Sequence, residues 1–172
     1  RVVFGGTGQV VSLDPTRPFP YTTDGLSTVF SGDGWGIFVV DFQNNLYIHK
    51  HIEGDFHHSS FLSGDAVTAA GEITVNEQGW ISVITAKSGH YMPTVADMQR
   101  MVHCFPQIPG NCVIRPDFTD TQGGRPARVY AVDEFRTDGT SAPTLNRQTV
   151  LNRVPNFAKT MEAYRWINRV PI

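Results

Sequence analysis

The chain has 172 residues, 40% hydrophobic and 17% charged, with a formal net charge of -2. That length supports one domain with a packed core. The charge gives no basic footprint for a nucleic-acid backbone, and no apolar run reaches the ~20 residues needed to cross a bilayer.

Arg1–Phe4 reads as a short strand, and Val10–Leu13 resumes as another after Gly5-Gly6-Thr7-Gly8. Those glycines lack the Lys-Ser/Thr ending of a phosphate loop, and no helical pattern follows, so a tight turn is expected. Asp14 to Gly25 carries three prolines and reads as a loop or arm, with Arg17 either solvated or clamping an anion. Trp35–Asp41 is β-branched and aromatic, as in a buried strand. Gln43-Asn44-Asn45 turns the chain, and Leu46–His51 returns with Leu46 and Ile48 on one side, Tyr47, His49 and His51 on the other. His49-x-His51 is half a metal site at most, because spacing fixes no third ligand; no metal is expected.

Ala66–Val75 and Trp80–Thr85 form a hairpin across Asn76-Glu77-Gln78-Gly79. Alternation puts Glu72 on the polar side of its strand, opposite Ile73 and Val75. Small residues Ala69-Ala70-Gly71 permit close backbone approach. Thr94 and Asp97 suggest the capped start of a helix over Thr94–Phe105, with Met98, Met101, Val102 and Phe105 as its apolar face and Pro106 and Pro109 as its stop. Val113–Arg115 and Ala127–Phe135 read as strands, separated by the polar loop Asp117–Pro126. Asn156–Val170 has the spacing of an amphipathic C-terminal helix. Cys104 and Cys112 either close a small loop or stay free, and no C-x-x-C motif is present.

Two polar clusters interrupt this pattern: His57, His58, Ser59 and Ser60, then Ser88, His90 and Tyr91. Hydroxyls and imidazoles crowded among apolar residues are costly unless paired with each other or with a ligand. One reading is a hydrogen-bonded corner of a β-sheet. The other is a ligand or catalytic site. Hydrolysis by Ser60 or Ser88 with His90 lacks a Gly-x-Ser-x-Gly elbow.

The stretch Gly54-Asp55-Phe56-His57-His58-Ser59-Ser60-Phe61-Leu62-Ser63-Gly64, then Ala69-Ala70-Gly71, then Ser88-Gly89-His90-Tyr91-Met92-Pro93-Thr94, resembles the core of plant and fungal IQ-motif calmodulin-binding proteins. Similar stretches occur in toxin- or effector-like bacterial proteins. The resemblance spans residues 35–105, and the chain has no IQ motif of its own, so calmodulin binding is not implied for it.

Asp14-Pro15-Thr16-Arg17-Pro18, then Asp24-Gly25-Leu26, then Phe56-His57-His58-Ser59-Ser60, is also similar to bacterial mono-ADP-ribosyltransferase toxins. The chain departs from them at Ser12, where an Arg is usual, and has no Glu-x-Glu or Gln-x-Glu. This second resemblance implies a toxin or effector domain transferring ADP-ribose from NAD, as substrate, to a macromolecular target, in chief a protein. On residue chemistry and not on motif order, after the branch of the ADP-ribosyltransferase superfamily that uses His, Tyr and Glu, Glu72, His58 and Tyr91 would be catalytic, Glu72 stabilising an oxocarbenium-like transition state. His57, Ser59, Ser60, His90 and Arg17 would hold the dinucleotide. An immunity or host protein would be a partner, no membrane would be involved, and the domain would be secreted or delivered into a target cell. With no initiator Met or signal peptide at Arg1, it would be a processed or excised part of a longer protein. The alternative is a non-enzymatic protein-binding module with structural clusters. The expected architecture is α+β in a single domain, residues 1–172: a twisted, mainly antiparallel sheet of six to eight strands with two helices.

Overall fold

The computed structural model describes residues 1–17, 19–154 and 166–172. Among these, the fold is α+β. A curled eight-stranded sheet contains β1 (Val2–Phe4), β2 (Val10–Ser12), β5 (Gly36–Val40), β6 (Leu46–His49), β7 (Ala69–Val75), β8 (Ile81–Thr85), β9 (Val113–Arg115) and β10 (Tyr130–Ala131). Its spatial order is β10-β9-β8-β7-β5-β6-β1-β2. A separate two-stranded hairpin joins β3 (Ser27–Thr28) to β4 (Gly32–Asp33). All neighbours in the large sheet are antiparallel except β8 and β9. That parallel pair needs a crossover, and α1 (Val95–Cys104) supplies it.

The hairpin turn at Gln43-Asn44-Asn45 works as its composition predicts. Asn44 sits at φ 59°, and the Asp41 carboxylate accepts from the backbone N–H of Gln43 and Asn45. The sheet curls until the edge strand β2 meets the β7–β8 turn, where Val10 N–H donates to the Gly79 carbonyl at 2.8 Å. Val10 O in turn accepts from Tyr21 N–H, so this edge is not left open for another chain.

The concave face holds the main core. Phe38, Val40, Ile73, Ile84 and Ile114 pack there against Met98, Met101, Val102 and Phe105 of α1 and the segment after it. Burying each such side chain contributes about 1.5–3 kcal/mol. Helix α1 begins as expected: Thr94 Oγ1 accepts from Asp97 N–H, and Asp97 Oδ2 accepts from Thr94 N–H at 2.8 Å. Thr94→Ala is therefore expected to lose about 1 kcal/mol of stability in urea denaturation.

Ala127–Phe135 is not one strand. Only Tyr130 and Ala131 pair, with Ile114 and Val113, before the chain winds into α2 (Val132–Asp138). Val132 and Asp133 donate their backbone N–H groups to Cys112 and Gly110, which ends the ladder. Asp133 and Glu134 then sit in the first helical turn, where negative charge is favoured. A further helix, α3 (Arg147–Arg153), starts at Asn146, whose side chain accepts from Thr149 N–H. The helix expected over Asn156–Val170 lies outside the described residues as far as residue 165. Cys104 and Cys112 are both free, the first exposed and the second buried.

Candidate functional site

The second face of the sheet presents Tyr47, His49, Ile37, Val39, Ala70, Glu72, Thr85 and Arg115 by strand register. An apolar cluster with Trp35, Val150 and Trp166 covers the same face at Val83 and Val113. Three groups of polar and aromatic side chains cover the rest, and both polar clusters belong to the first.

His58–Ser60 forms a single 3₁₀ turn. Its buried His58 donates Nε2–H to the Gly71 carbonyl at 2.8 Å. Burial lowers the His58 pKa to about 4, so the ring is neutral at pH 7. Ser59 Oγ and His57 Nδ1 are hydrogen-bonded at 2.7 Å, and His57 N–H donates to Ser60 Oγ at 3.1 Å. The His57 and His90 rings stack with centroids 4.9 Å apart and planes 6° from parallel. Tyr91 O–H donates to the Asp65 carbonyl at 2.9 Å, and Tyr91 N–H donates to the buried Ser88 hydroxyl at 3.3 Å. Beside this lies an aromatic group in which Phe56 meets both His49 and Phe61.

The second group surrounds Glu72. The residue points away from Ile73, as alternation requires, but its face is not a wet one: Glu72 is 2% exposed. The β3–β4 hairpin lies over it, and Ser31 Oγ donates to Glu72 Oε2. Burial pushes the carboxyl pKa up to about 7, while bonds from Ser31 and Thr28 and the nearby Lys87 charge pull the other way. The Lys87 ammonium sits 4.0 Å from the centroid of Phe30 and 5.4 Å from that of Phe118, a cation–π clamp closing the group.

The third group is built on Arg115, 2% exposed. Its guanidinium lies 3.9 Å from the Phe118 ring centroid and donates Nη2–H to Asp120 Oδ1 at 2.9 Å. Asp120 Oδ2 accepts from Arg128 N–H, which ties the 119–124 loop to the strand end.

The structure thus brings together His57, His58, Ser59, Ser60, His90 and Tyr91, and places Glu72 in a different group. The Glu72 carboxyl is bonded by Ser31 and Thr28, not by the histidines. Arg17 is remote in sequence and exposed, 3.8 Å from Asp14. Among the described residues no group of three or more His, Cys, Asp or Glu is placed to hold a metal ion. Sequence reading passed over Thr28, Ser31, Lys87, Phe118 and Arg115. The one available signal was the strand register that puts Arg115 on the same face as Glu72.

Residues 20–98 match the family described as IQ motif-containing protein middle domain. The chain is 42% identical over 142 residues to IQ domain-containing protein IQM5 of Arabidopsis thaliana, covering 80% of this chain and 24% of that protein. It is 47% identical over 62 residues to IQM4 and 42% over 66 residues to IQM1, also of Arabidopsis thaliana. These cover 36% and 38% of the chain and 12% and 13% of the relatives. The chain therefore spans about a quarter or less of the length of these relatives. No solved structure matches it. These findings overturn the toxin and ADP-ribosyltransferase reading: the relatives are IQ domain-containing plant proteins, and the similarity to bacterial toxins is not supported. Over residues 20–98, which carry four of the eight strands of the large sheet, the chain is similar to the middle domain of IQ motif-containing proteins.

Proposed function

We propose that the chain is a non-enzymatic protein-binding module whose His–Ser and His–Tyr clusters are internal braces. The observation that carries this reading is that each cluster member has a partner within the chain. His58 is on the Gly71 carbonyl, His57 on Ser59 and His90, Ser60 on the His57 amide, and Tyr91 on the Asp65 carbonyl. Groups so engaged hold loops 51–66 and 86–92 to the sheet and have less capacity left for a substrate. Similarity to IQ domain-containing proteins supports the same reading, because an IQ motif is a docking element for calmodulin. This chain has no IQ motif, so calmodulin is proposed as a partner of a longer IQ-bearing protein and a protein ligand as the partner of the module itself.

Tyr91→Phe and His57→Ala test the bracing role. Each is expected to lose about 1 kcal/mol in urea denaturation, the usual value of one internal hydrogen bond. Unchanged or raised stability in both would oppose it, since groups kept for a ligand commonly cost stability.

A further inference from the structure

We propose that the groove beside the β7–β8 turn docks an extended basic segment of a partner protein; this rests on the binding-module reading above. Two adjoining cavities, of about 710 and 430 Å³, share Asn76, Ser82 and Arg153 as common walls. Both volumes fall within the ~300–1,000 Å³ range of ligand-binding clefts. The larger is floored by the buried Trp35 and rimmed by Asp24, Asp33 and Glu77, all exposed. None of these three carboxylates takes part in the ion pairs or side-chain hydrogen bonds of the described residues. Arg153 is the one cation among the described lining residues, and its Nη1 donates to the Asn111 carbonyl at 3.4 Å. The smaller cavity adds the half-buried ring of Trp80.

Hydrogen bonds within the chain hold the groove in shape. Asn76 Oδ1 accepts from the backbone N–H groups of Gln78 and Trp80, at 3.0 Å each. The Val75 carbonyl accepts from Thr23 N–H and from the Thr22 and Thr23 hydroxyls. Among the described lining residues, three unpaired carboxylates against one guanidinium make the groove acidic, and the half-buried Trp80 ring with the aliphatic Leu26, Val75 and Ile81 supplies its apolar share. An extended strand alternating basic and aliphatic residues meets both demands, because successive side chains point to opposite sides. The charges steer such a segment and reject an acidic one.

The test is an NMR titration of the ¹⁵N-labelled chain with the peptide acetyl-Leu-Arg-Leu-Lys-Leu-Arg-amide, with Glu replacing every basic residue in a control. The indole N–H signals of Trp35 and Trp80 are expected to shift, with that of Trp166 fixed. Asp24→Lys combined with Glu77→Lys is expected to weaken binding about tenfold or more, with the amide spectrum otherwise retained. No shift, an equal shift with the acidic control, or binding that survives the charge reversal would each overturn the groove assignment. Such a failure leaves the bracing test untouched, because that test reads stability and not peptide binding.

Discussion

Gly71→Ala is expected to prevent folding, or to lower stability by more than about 4 kcal/mol. Gly71 lies in β7, between β5 and β8, where every contact is fixed by two ladders. A Cβ there would stand 1.8 Å from the Thr85 carbonyl oxygen and 3.0 Å from Phe38 Cε1. Neither neighbour is the loose end of a side chain, so relief requires separating β7 from β8. Separation also moves the Gly71 carbonyl that holds His58. Gly6→Ala is the control, since an added Cβ there meets nothing within 4 Å, and a change within about 0.5 kcal/mol is expected. Urea denaturation and amide NMR spectra of the two variants check this; a folded Gly71→Ala protein of ordinary stability would contradict the close approach.

The second large effect is a pair of opposed pH dependences. The buried Glu72 carboxyl has its pKa raised from 4.5 to about 7, chiefly by desolvation. The folded state then holds this proton more tightly than the unfolded chain. Its stabilising contribution is complete below pH 4.5 and is lost as pH rises through 7. His58 behaves in reverse. Its pKa falls from 6.5 to about 4, again chiefly by desolvation, so its contribution is complete above pH 6.5 and is lost as pH falls through 4. Each amounts to about 3 kcal/mol. Between pH 4.5 and 6.5 the two slopes cancel, which hides both in the native chain. Single variants expose them. His58→Gln is expected to become less stable by about 3 kcal/mol between pH 4.5 and 7, relative to the native chain's own profile over that interval. Glu72→Gln is expected to become more stable by a similar amount between pH 4 and 6.5, on the same comparison. Urea denaturation across pH 4–8 reads both. Parallel profiles for the native chain and both variants would show that neither group is buried as described.

Local rules made the helix α1 legible. Thr94, Asp97 and the Met98–Met101–Val102–Phe105 stripe each depend on neighbours within one or two turns, and the structure keeps them all. The β5–β6 and β7–β8 hairpins were legible for the same reason, through short turns and alternation. Ala127–Phe135 was not, because its alternation suits a strand while the helix after Ala131 is imposed by distant carbonyls at Gly110 and Cys112. Glu72 shows the same limit. Alternation gave its side correctly, but no local rule says that residues 27–33 fold over that side and bury the carboxyl. The His and Ser residues were legible as a cluster, with Gly71 nearby as a point of close approach. Their reading as a reaction centre came from residue types alone, and residue types do not reveal whether an imidazole faces a cleft or a backbone carbonyl.

Urea denaturation of His58→Ala at pH 7 tests the bracing role most directly. Removing a buried ring and its bond to the Gly71 carbonyl leaves a cavity and an unpaired oxygen. A loss of about 2–4 kcal/mol is expected. Stability equal to or above that of the native chain would contradict the brace and return the histidine cluster to the class of sites held open for a ligand.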